Sequence, residues 1–199
     1  MLSSEQPEEN AVGDIKASPE SIIYTCKEIE NELRQGEILS GITLYSYNSA
    51  EDTVEAIEFN YAIIASQDCD LLQDFNRTKE GTASDLACII LFEANIAADA
   101  RGSVGNSDIW KRVRQNKDER YHVLQEVPSG ADLIGSGIGA LLIDFKRLFT
   151  IPTRELYLQA KDKGGARRRC RLREPYREHF QSRAANYLSR VGLPEPHVI

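Results

Sequence analysis

The stretch IIASQDCDL, from Ile63 to Leu71, joins a buried apolar strand directly to a group of polar and reactive side chains. Its first residues would be apolar on both faces of a strand, which is typical of a central strand that is covered on two sides. A strand end of this kind usually opens onto a surface or a functional site. The junction therefore predicts a central strand of the fold and is the first place to look for chemistry.

Further strands are predicted on both sides of this junction. β-branched and aromatic residues form short runs that are separated by polar turn residues, as the strands of a sheet require. One run, GALLIDFKRLFTI over residues 139–151, is long and leads through a turn into a short helix at Pro152 to Leu156. The other predicted strands cover residues 37–47, 54–65, 87–93 and 121–124.

Helical patterns precede and follow the strands. Residues 18–20 have the form of a helix start, and apolar residues follow them at helical spacing, namely Ile22, Cys26, Ile29 and Leu33. Near the other end, an amphipathic pattern that begins at Pro175 predicts a basic helix over residues 174–191. The predicted fold class is therefore α+β, with a small β-rich core, built as a twisted sheet or a half-closed barrel, and flanking N-terminal and C-terminal helices.

The length and composition favour one domain. At 199 residues the chain can bury one sizeable core. Residues 1–17 are acidic and lack apolar periodicity, so they are predicted to be a disordered tail, and residues 18–199 a single α+β domain. No run approaches the roughly 18 apolar residues of a membrane helix, and the acidic start is unlike a secretory signal. The protein is expected in the cytoplasm, without a membrane partner, with its scattered cysteines reduced.

The charges are unevenly distributed along the chain. Residues 1–99 carry 5 basic and 20 acidic side chains, whereas residues 146–190 carry 13 basic and 4 acidic ones. The net charge of −7 conceals this division. It predicts either that the acidic half pairs with the basic half, within one chain or in a homo-oligomer, or that a basic face binds an anionic partner.

The polar residues of the junction offer a candidate catalytic set, Ser66, Asp68, Cys69 and Asp70. Cys69 as a nucleophile would need His, Lys or a helix N-terminus beside it, because neighbouring carboxylates disfavour the thiolate. The DxD spacing resembles the haloacid dehalogenase pattern, but Leu71-Leu72 stand where that pattern has Gly-Thr. In a third interpretation, Asp68 and Asp70 cap a turn while Cys69 packs inward.

A divalent metal is the one cofactor that this junction would suit. Asp68 and Asp70 lie two positions apart, so they would share a face of a continuing strand and offer hard oxygen ligands to Mg²⁺ or Mn²⁺. Two carboxylates need a third ligand from elsewhere in the chain. No other cofactor is predicted.

A second candidate surface is basic. Residues 167–173, reading RRRCRLR, would alternate arginines across a strand, and the last helix carries polar residues at i, i+4, i+7 and i+11. Such surfaces follow phosphates in nucleic-acid-binding proteins. In the alternative interpretation the same side chains pair with the acidic half or with a partner protein. The candidate binding residues are Arg167, Arg168, Arg169, Arg171, His179, Arg183 and Arg190.

The strand that ends in IIAS at Ser66 and the later stretch LLIDFKRLFTIPTREL, residues 141–156, resemble the PemK/MazF-type toxin family across residues 36–158. The resemblance implies an SH3-like barrel that cleaves RNA, with Ser66 at the family's active-site Ser or Thr. Residues 59–62, FNYA, lack the arginine that the family places before this strand, which implies that ribonuclease activity is lost. SQDCDL together with RVGLP at residues 190–194 is also similar to uncharacterised bacterial proteins of defence or mobile-element loci.

These patterns favour a non-enzymatic accessory protein of a bacterial complex, which contacts a protein or nucleic-acid partner. The alternative is a nuclease or other hydrolase that uses residues 66–70, with or without a metal. The two hypotheses differ in geometry. An enzyme needs these side chains to converge in a cleft beside a basic or histidine partner, whereas an accessory protein can use them in local hydrogen bonds.

Overall fold

The computed structural model describes residues 21–27, 29–162 and 164–190, so the predicted acidic tail lies outside the described residues. Two single-turn 3₁₀ helices occur at Arg101–Ser103 and Ser129–Ala131. The other elements are β1 (Tyr24–Thr25), β2 (Glu37–Asn48), β3 (Thr53–Ile64), α1 (Asp68–Lys79), β4 (Cys88–Ile96), α2 (Ala97–Ala100), α3 (Ser107–Arg114), β5 (Tyr121–Leu124), β6 (Leu141–Pro152), α4 (Thr153–Lys161), β7 (Arg167–Leu172) and α5 (Tyr176–Leu188).

All of these strands belong to one sheet, in the order β1-β7-β2-β3-β4-β6-β5. Every neighbouring pair is antiparallel. The predicted α+β class is confirmed, and the predicted strands coincide with β2 to β6 within a few residues. The sheet is open rather than closed into a barrel, because β1 and β5 lie at its two edges.

The central strands bury both of their faces. Ile38 and Ile63 belong to one hydrophobic cluster, while their neighbours Leu39 and Ile64 belong to another. Successive side chains of a strand point to opposite faces, so the two clusters lie on the two sides of the sheet. This two-sided burial explains why the strands have continuous rather than alternating apolar runs.

Helices cover the two faces of the sheet. Phe180 of α5 packs in the first cluster, with its ring centroid 6.1 Å from those of Phe92 and Phe145. Leu71 of α1 and Leu156 of α4 pack in the second cluster. In the described part of the chain, no helix has the length and apolar character that crossing a membrane requires.

The prediction of an N-terminal helix over residues 22–33 is wrong. Residues 21–27 and 29–36 form the short strand β1 and irregular turns. The pattern fails because its members do not share a face: Ile22 is 74% exposed, whereas Leu33 is buried in the cluster beneath α1 and α4. The backbone follows the edge of the sheet instead, and the Tyr24 hydroxyl donates to the Gln125 carbonyl at 2.6 Å.

Strands β2 and β3 extend well beyond the rest of the sheet. β2 pairs with β7 only as far as Ser40, and β3 pairs with β4 only from Tyr61 onward. The two strands nevertheless stay paired with each other out to Asn48 and Thr53. Residues 44–58 therefore form a two-stranded projection, which we call the ribbon.

Candidate functional site

Ser66 completes the pairing between β3 and β4 at the point where the chain leaves the sheet. The Ala65 amide donates to the Ile90 carbonyl at 2.9 Å, and the Ile90 amide donates to the Ser66 hydroxyl oxygen at 2.9 Å. The hydroxyl thus replaces the backbone carbonyl that a longer β3 would supply. Ser66 is only 7% exposed, so its oxygen serves the sheet rather than facing a cleft.

Asp68 occupies the first turn of α1, where a carboxylate is favoured by the helix dipole. Its Oδ1 accepts from the Gln35 amide at 2.7 Å and from Nε of Arg34 at 3.2 Å. Its Oδ2 accepts from Arg171 at 2.7 Å and from Arg177 at 3.0 Å. One carboxylate therefore holds together the loop before β2, the strand β7 and the start of α5.

This arrangement is unsuited to a metal. A carboxylate has about four acceptor sites, and Asp68 accepts four hydrogen bonds, three of them from guanidinium groups. The positive charges of those groups would also repel a cation. Within the described ranges, no group of three or more His, Cys, Asp or Glu side chains is placed to hold a metal ion.

Cys69 and Asp70 lie at the surface of the first turn of α1. Cys69 does lie at a helix N-terminus, but its thiol is hydrogen-bonded to Asp70 Oδ1 at 3.4 Å and Gln67 Oε1 at 3.6 Å, and neither partner is a His or Lys. The histidines His122 and His179 pack against each other at 5.5 Å in the α5 layer, on the opposite side of the sheet. The structure therefore does not gather residues 66–70 into a catalytic cleft.

The arginines of β7 point in alternate directions and make internal contacts. Arg168 binds Glu37 with two nitrogens, one of them 2.8 Å from Oε2, and also binds the carbonyls of Glu30 and Glu32. Glu37 is fully buried, and burial raises its pKa, while Arg168 and the Arg34 amide act in the opposite direction. Arg167, in contrast, is exposed and lines a shallow polar cavity.

Arg169 forms the most enclosed ion pair of this strand. Its Nε and Nη2 bind the two oxygens of Asp132 at 2.8 and 2.7 Å, and Nη2 also reaches Ser136 and the Gly137 carbonyl at 3.0 Å. Burial alone would raise the pKa of Asp132, but the hydrogen bonds from Arg169 and from nearby backbone amides outweigh burial and lower it. The pair anchors the loop before β6 to the sheet.

Two basic residues near the end of the chain, Arg183 of α5 and Arg190 just after it, bind the loop that precedes β5. Arg183 donates to three backbone carbonyls, those of Asn116, Asp118 and Tyr121, the last at 2.7 Å. Arg190 forms an exposed ion pair with Glu119 at 3.2 Å. Among the predicted binding residues of this helix, the structure therefore gives Arg183 an internal role and leaves His179 and Arg190 at the surface.

The basic side chains that remain available lie elsewhere. Sequence reasoning missed them, although residues 110–117 hold four basic side chains and no acidic one. Four lie on or directly after α3, and three more surround a cavity between α1 and α4. Within the described residues, the cations with no hydrogen bond, ion pair or ring contact are Lys79, Lys111, Arg112, Arg114, Lys117, Lys146, Arg154, Lys161 and Arg167.

The ribbon is the remaining surface feature. Tyr45, Tyr47 and Val54 are 61, 62 and 68% exposed, and Tyr45 and Tyr47 lie on one face opposite Ala56 and Val54. Among the described residues, its base is fastened in two ways: Leu44 packs against the second hydrophobic cluster, and beside it the Gln159 side chain exchanges hydrogen bonds with the Thr43 amide and carbonyl at 3.1 and 2.7 Å. No family model, curated protein or solved structure matches this chain.

Proposed function

We propose that this chain is a binding protein, and that the ribbon docks onto a partner protein. The observation that carries the proposal is the projection of residues 44–58 beyond the strands that pair with their bases. A two-stranded hairpin is marginally stable in water when it stands alone. Large apolar side chains that stay exposed on such a hairpin do not stabilise the isolated chain. Their presence is better explained by a partner protein that covers them.

The composition of the ribbon fits an interface. Tyrosine is enriched at protein interfaces because it combines a large apolar ring with a hydroxyl that stays hydrogen-bonded. Tyr47 shows this use already, since its hydroxyl donates to Asp52 at 2.5 Å while its ring remains exposed. The ring of Tyr45 and the side chains of Val54 and Ile57 add exposed apolar area to the same projection.

The charge of the ribbon indicates which kind of partner it can bind. It carries four acidic residues and no basic one, namely Glu51, Asp52, Glu55 and Glu58. This charge repels phosphates, so the ribbon is not the part of the molecule that would contact a nucleic acid. It favours a protein with a basic surface around an apolar groove.

A second copy of this chain is a poorer partner than a different protein. The net charge of −7 makes two copies of this chain repel each other, although α3 of a second copy carries unpaired cations. The proposal also does not depend on an SH3-like barrel or on the PemK/MazF-type resemblance, because it rests on the length of the ribbon beyond its neighbouring strands.

The proposal is tested by cross-linking from the ribbon. In one variant of the full chain, a photoreactive amino acid replaces Tyr47. In a second variant of the same chain, which serves as the control, it replaces Arg114 on α3. We expect the Tyr47 position to capture a different protein with a basic surface. Purified partner should then bind the Tyr47→Ser, Val54→Ser double variant at least tenfold more weakly than the wild type, while Leu188→Ser, another exposed apolar residue, should leave the affinity unchanged.

Several outcomes would overturn the proposal. They are capture of a second copy of this chain from the Tyr47 position, capture only from the Arg114 position, and unchanged affinity in a folded double variant. Cross-linking of nucleic acid from Tyr47 would contradict the charge argument directly.

A further inference from the structure

A cavity of about 660 Å³ lies between α1, the loop that follows it, and α4. Its volume is within the range of small-molecule sites, roughly 300–1,000 Å³. Residues of α1 form one wall, Thr82 to Ser84 form the second, and residues Thr153 to Lys161 of α4 form the third. The cavity is on the sheet face opposite α5 and is separate from the ribbon tip and from residues 66–70.

Three cations border this cavity, Lys79 from the end of α1 and Arg154 and Lys161 from the two ends of α4. None of them forms an ion pair or hydrogen bond with any described residue. This differs from β7, where Arg168, Arg169 and Arg171 are paired with carboxylates. In an acidic protein, three unpaired cations around one concavity indicate a negatively charged occupant.

The one carboxylate that lines the cavity among the described residues, that of Asp74, forms no ion pair with these cations. Asp74 is 2% exposed, and its Oδ1 accepts from the Ser84 hydroxyl at 2.6 Å and from the Asp85 and Leu86 amides at 3.0 and 3.1 Å. It holds the loop after α1 in place and so shapes the second wall.

An aromatic wall and hydroxyl groups complete the lining. The rings of Phe75 and Tyr157 meet at 5.9 Å, with 32° between their planes. The Tyr157 oxygen accepts from the Leu33 amide at 3.1 Å, which fixes the ring while leaving the hydroxyl proton available to an acceptor. Thr78 and Thr82 also line this space.

We infer that this cavity binds a nucleoside phosphate. The phosphate carries about −1.5 to −2 charges at neutral pH, which matches the group of unpaired cations, and a flat base can pack against Phe75 and Tyr157 as rings do. The walls and the volume suit a mononucleotide, not a polymer. The inference is independent of the proposed docking of the ribbon.

The test is calorimetric titration of the full chain at low salt with four probes: AMP, GMP, CMP and UMP. At least one is expected to bind at least tenfold more tightly than both its nucleoside and inorganic phosphate. The Lys79→Met, Lys161→Met double variant, which keeps most of the apolar stem, should lose at least tenfold in affinity for that nucleotide. The Lys111→Met, Arg114→Met double variant removes the same charge from α3 and should bind as the wild type does.

The Tyr157→Phe variant tests the aromatic wall separately, because it leaves the charge of the cavity unchanged. It should weaken binding of the nucleotide and of its nucleoside by the same factor, because the variant keeps the ring and removes only the hydroxyl, which would donate to the base rather than to the phosphate. Failure of all four nucleotides to bind overturns the inference. An equal loss of nucleotide affinity in the cavity double variant and the α3 double variant also overturns it, because that result would show non-specific attraction. Binding of oligonucleotides without binding of any mononucleotide overturns it as well. Thermal melts must show that each variant is folded.

Discussion

At the scale of single residues, Asp68 does far more than its neighbour Asp70, although the sequence presents them as a pair. Asp68 accepts four hydrogen bonds from three separate segments, whereas Asp70 lies exposed. Nothing local reveals this difference, because Arg34, Arg171 and Arg177 approach from distant parts of the chain. The sequence predicts that both residues lie at a strand end, but it does not show which of them accepts the hydrogen bonds that join the three segments.

Replacing Asp68 with Ala should lower the free energy of unfolding by about 3 kcal/mol. The change leaves three guanidinium groups without their shared acceptor, and the partial exposure of the carboxylate keeps the cost below that of a fully buried pair. Asp70→Ala is the matched control and should cost under about 1 kcal/mol, the value of a helix-dipole interaction. Urea unfolding of both variants measures the difference, and equal losses would contradict this assignment.

His122 should make the stability depend on pH. It is 2% exposed, its Nδ1 has no hydrogen-bond partner among the described residues, and burial, then Arg183 and His179, lower its pKa to about 3. The native state therefore keeps it neutral below the unfolded pKa of about 6.5. Its contribution to stability is complete above that pKa and is lost progressively as the pH falls toward 3.

Between pH 6.5 and 5.0 the wild type should therefore lose about 1.6 kcal/mol more than His122→Phe, because the slope rises from about half of 1.36 kcal/mol per pH unit at pH 6.5 to nearly all of it at pH 5.0. The comparison uses the pH dependence of each protein, so any packing cost of the larger ring cancels. Parallel curves for wild type and His122→Phe would show that His122 can protonate in the native state.

At the scale of elements, α5 is fastened to the loop before β5 through Arg183, which the sequence presented as part of a phosphate-binding ridge. Its three acceptors are backbone carbonyls, and these leave no trace in a residue pattern. Arg183→Ala should cost about 2–3 kcal/mol, since three partly buried carbonyls lose a charged donor. Arg190→Ala removes only an exposed ion pair and should cost less than about 1 kcal/mol. Thermal melts of the two variants measure the difference, and equal losses of stability would argue against an internal role for Arg183.

The strands were easier to predict than the helices. Two-sided burial gives β3 and β4 unbroken apolar runs, which any pattern search finds. α1 was missed because its apolar residues are few and Asp74 stands among its buried positions. The signal that could have found it is electrostatic, with acids at Asp68 and Asp70 in the first turn and bases at Arg77 and Lys79 in the last.

At the scale of the whole molecule, the division of charge along the sequence is largely resolved inside the fold. Acidic residues of the first half pair with basic residues of the second across the sheet, as in Glu37 with Arg168 and Asp68 with Arg171. Sequence reasoning anticipated this pairing as one of two alternatives. It could not identify the cations that stay unpaired, because that depends on which strands become neighbours.

Stability should consequently respond little to salt. Buried ion pairs are screened far less than exposed ones, and the side chains of Arg168, Arg169 and Arg171 are 13, 6 and 9% exposed. Raising NaCl from about 0.05 to 0.5 M should change the free energy of unfolding by less than about 1 kcal/mol. Urea titrations at the two salt concentrations measure it, and a loss of several kcal/mol would place the stabilising charges at the surface.

The ribbon has a consequence for solubility. Beyond Thr43, each of its strands has an outer edge whose backbone groups pair with no other described strand. Open edges invite strand pairing between molecules, and charged side chains are a common safeguard against it. The four carboxylates of the ribbon supply that safeguard. Replacing them with the corresponding amides should therefore convert the projection into a nucleus for intermolecular β-aggregation, and a partner that covers the ribbon in the cell would also protect the protein from aggregating.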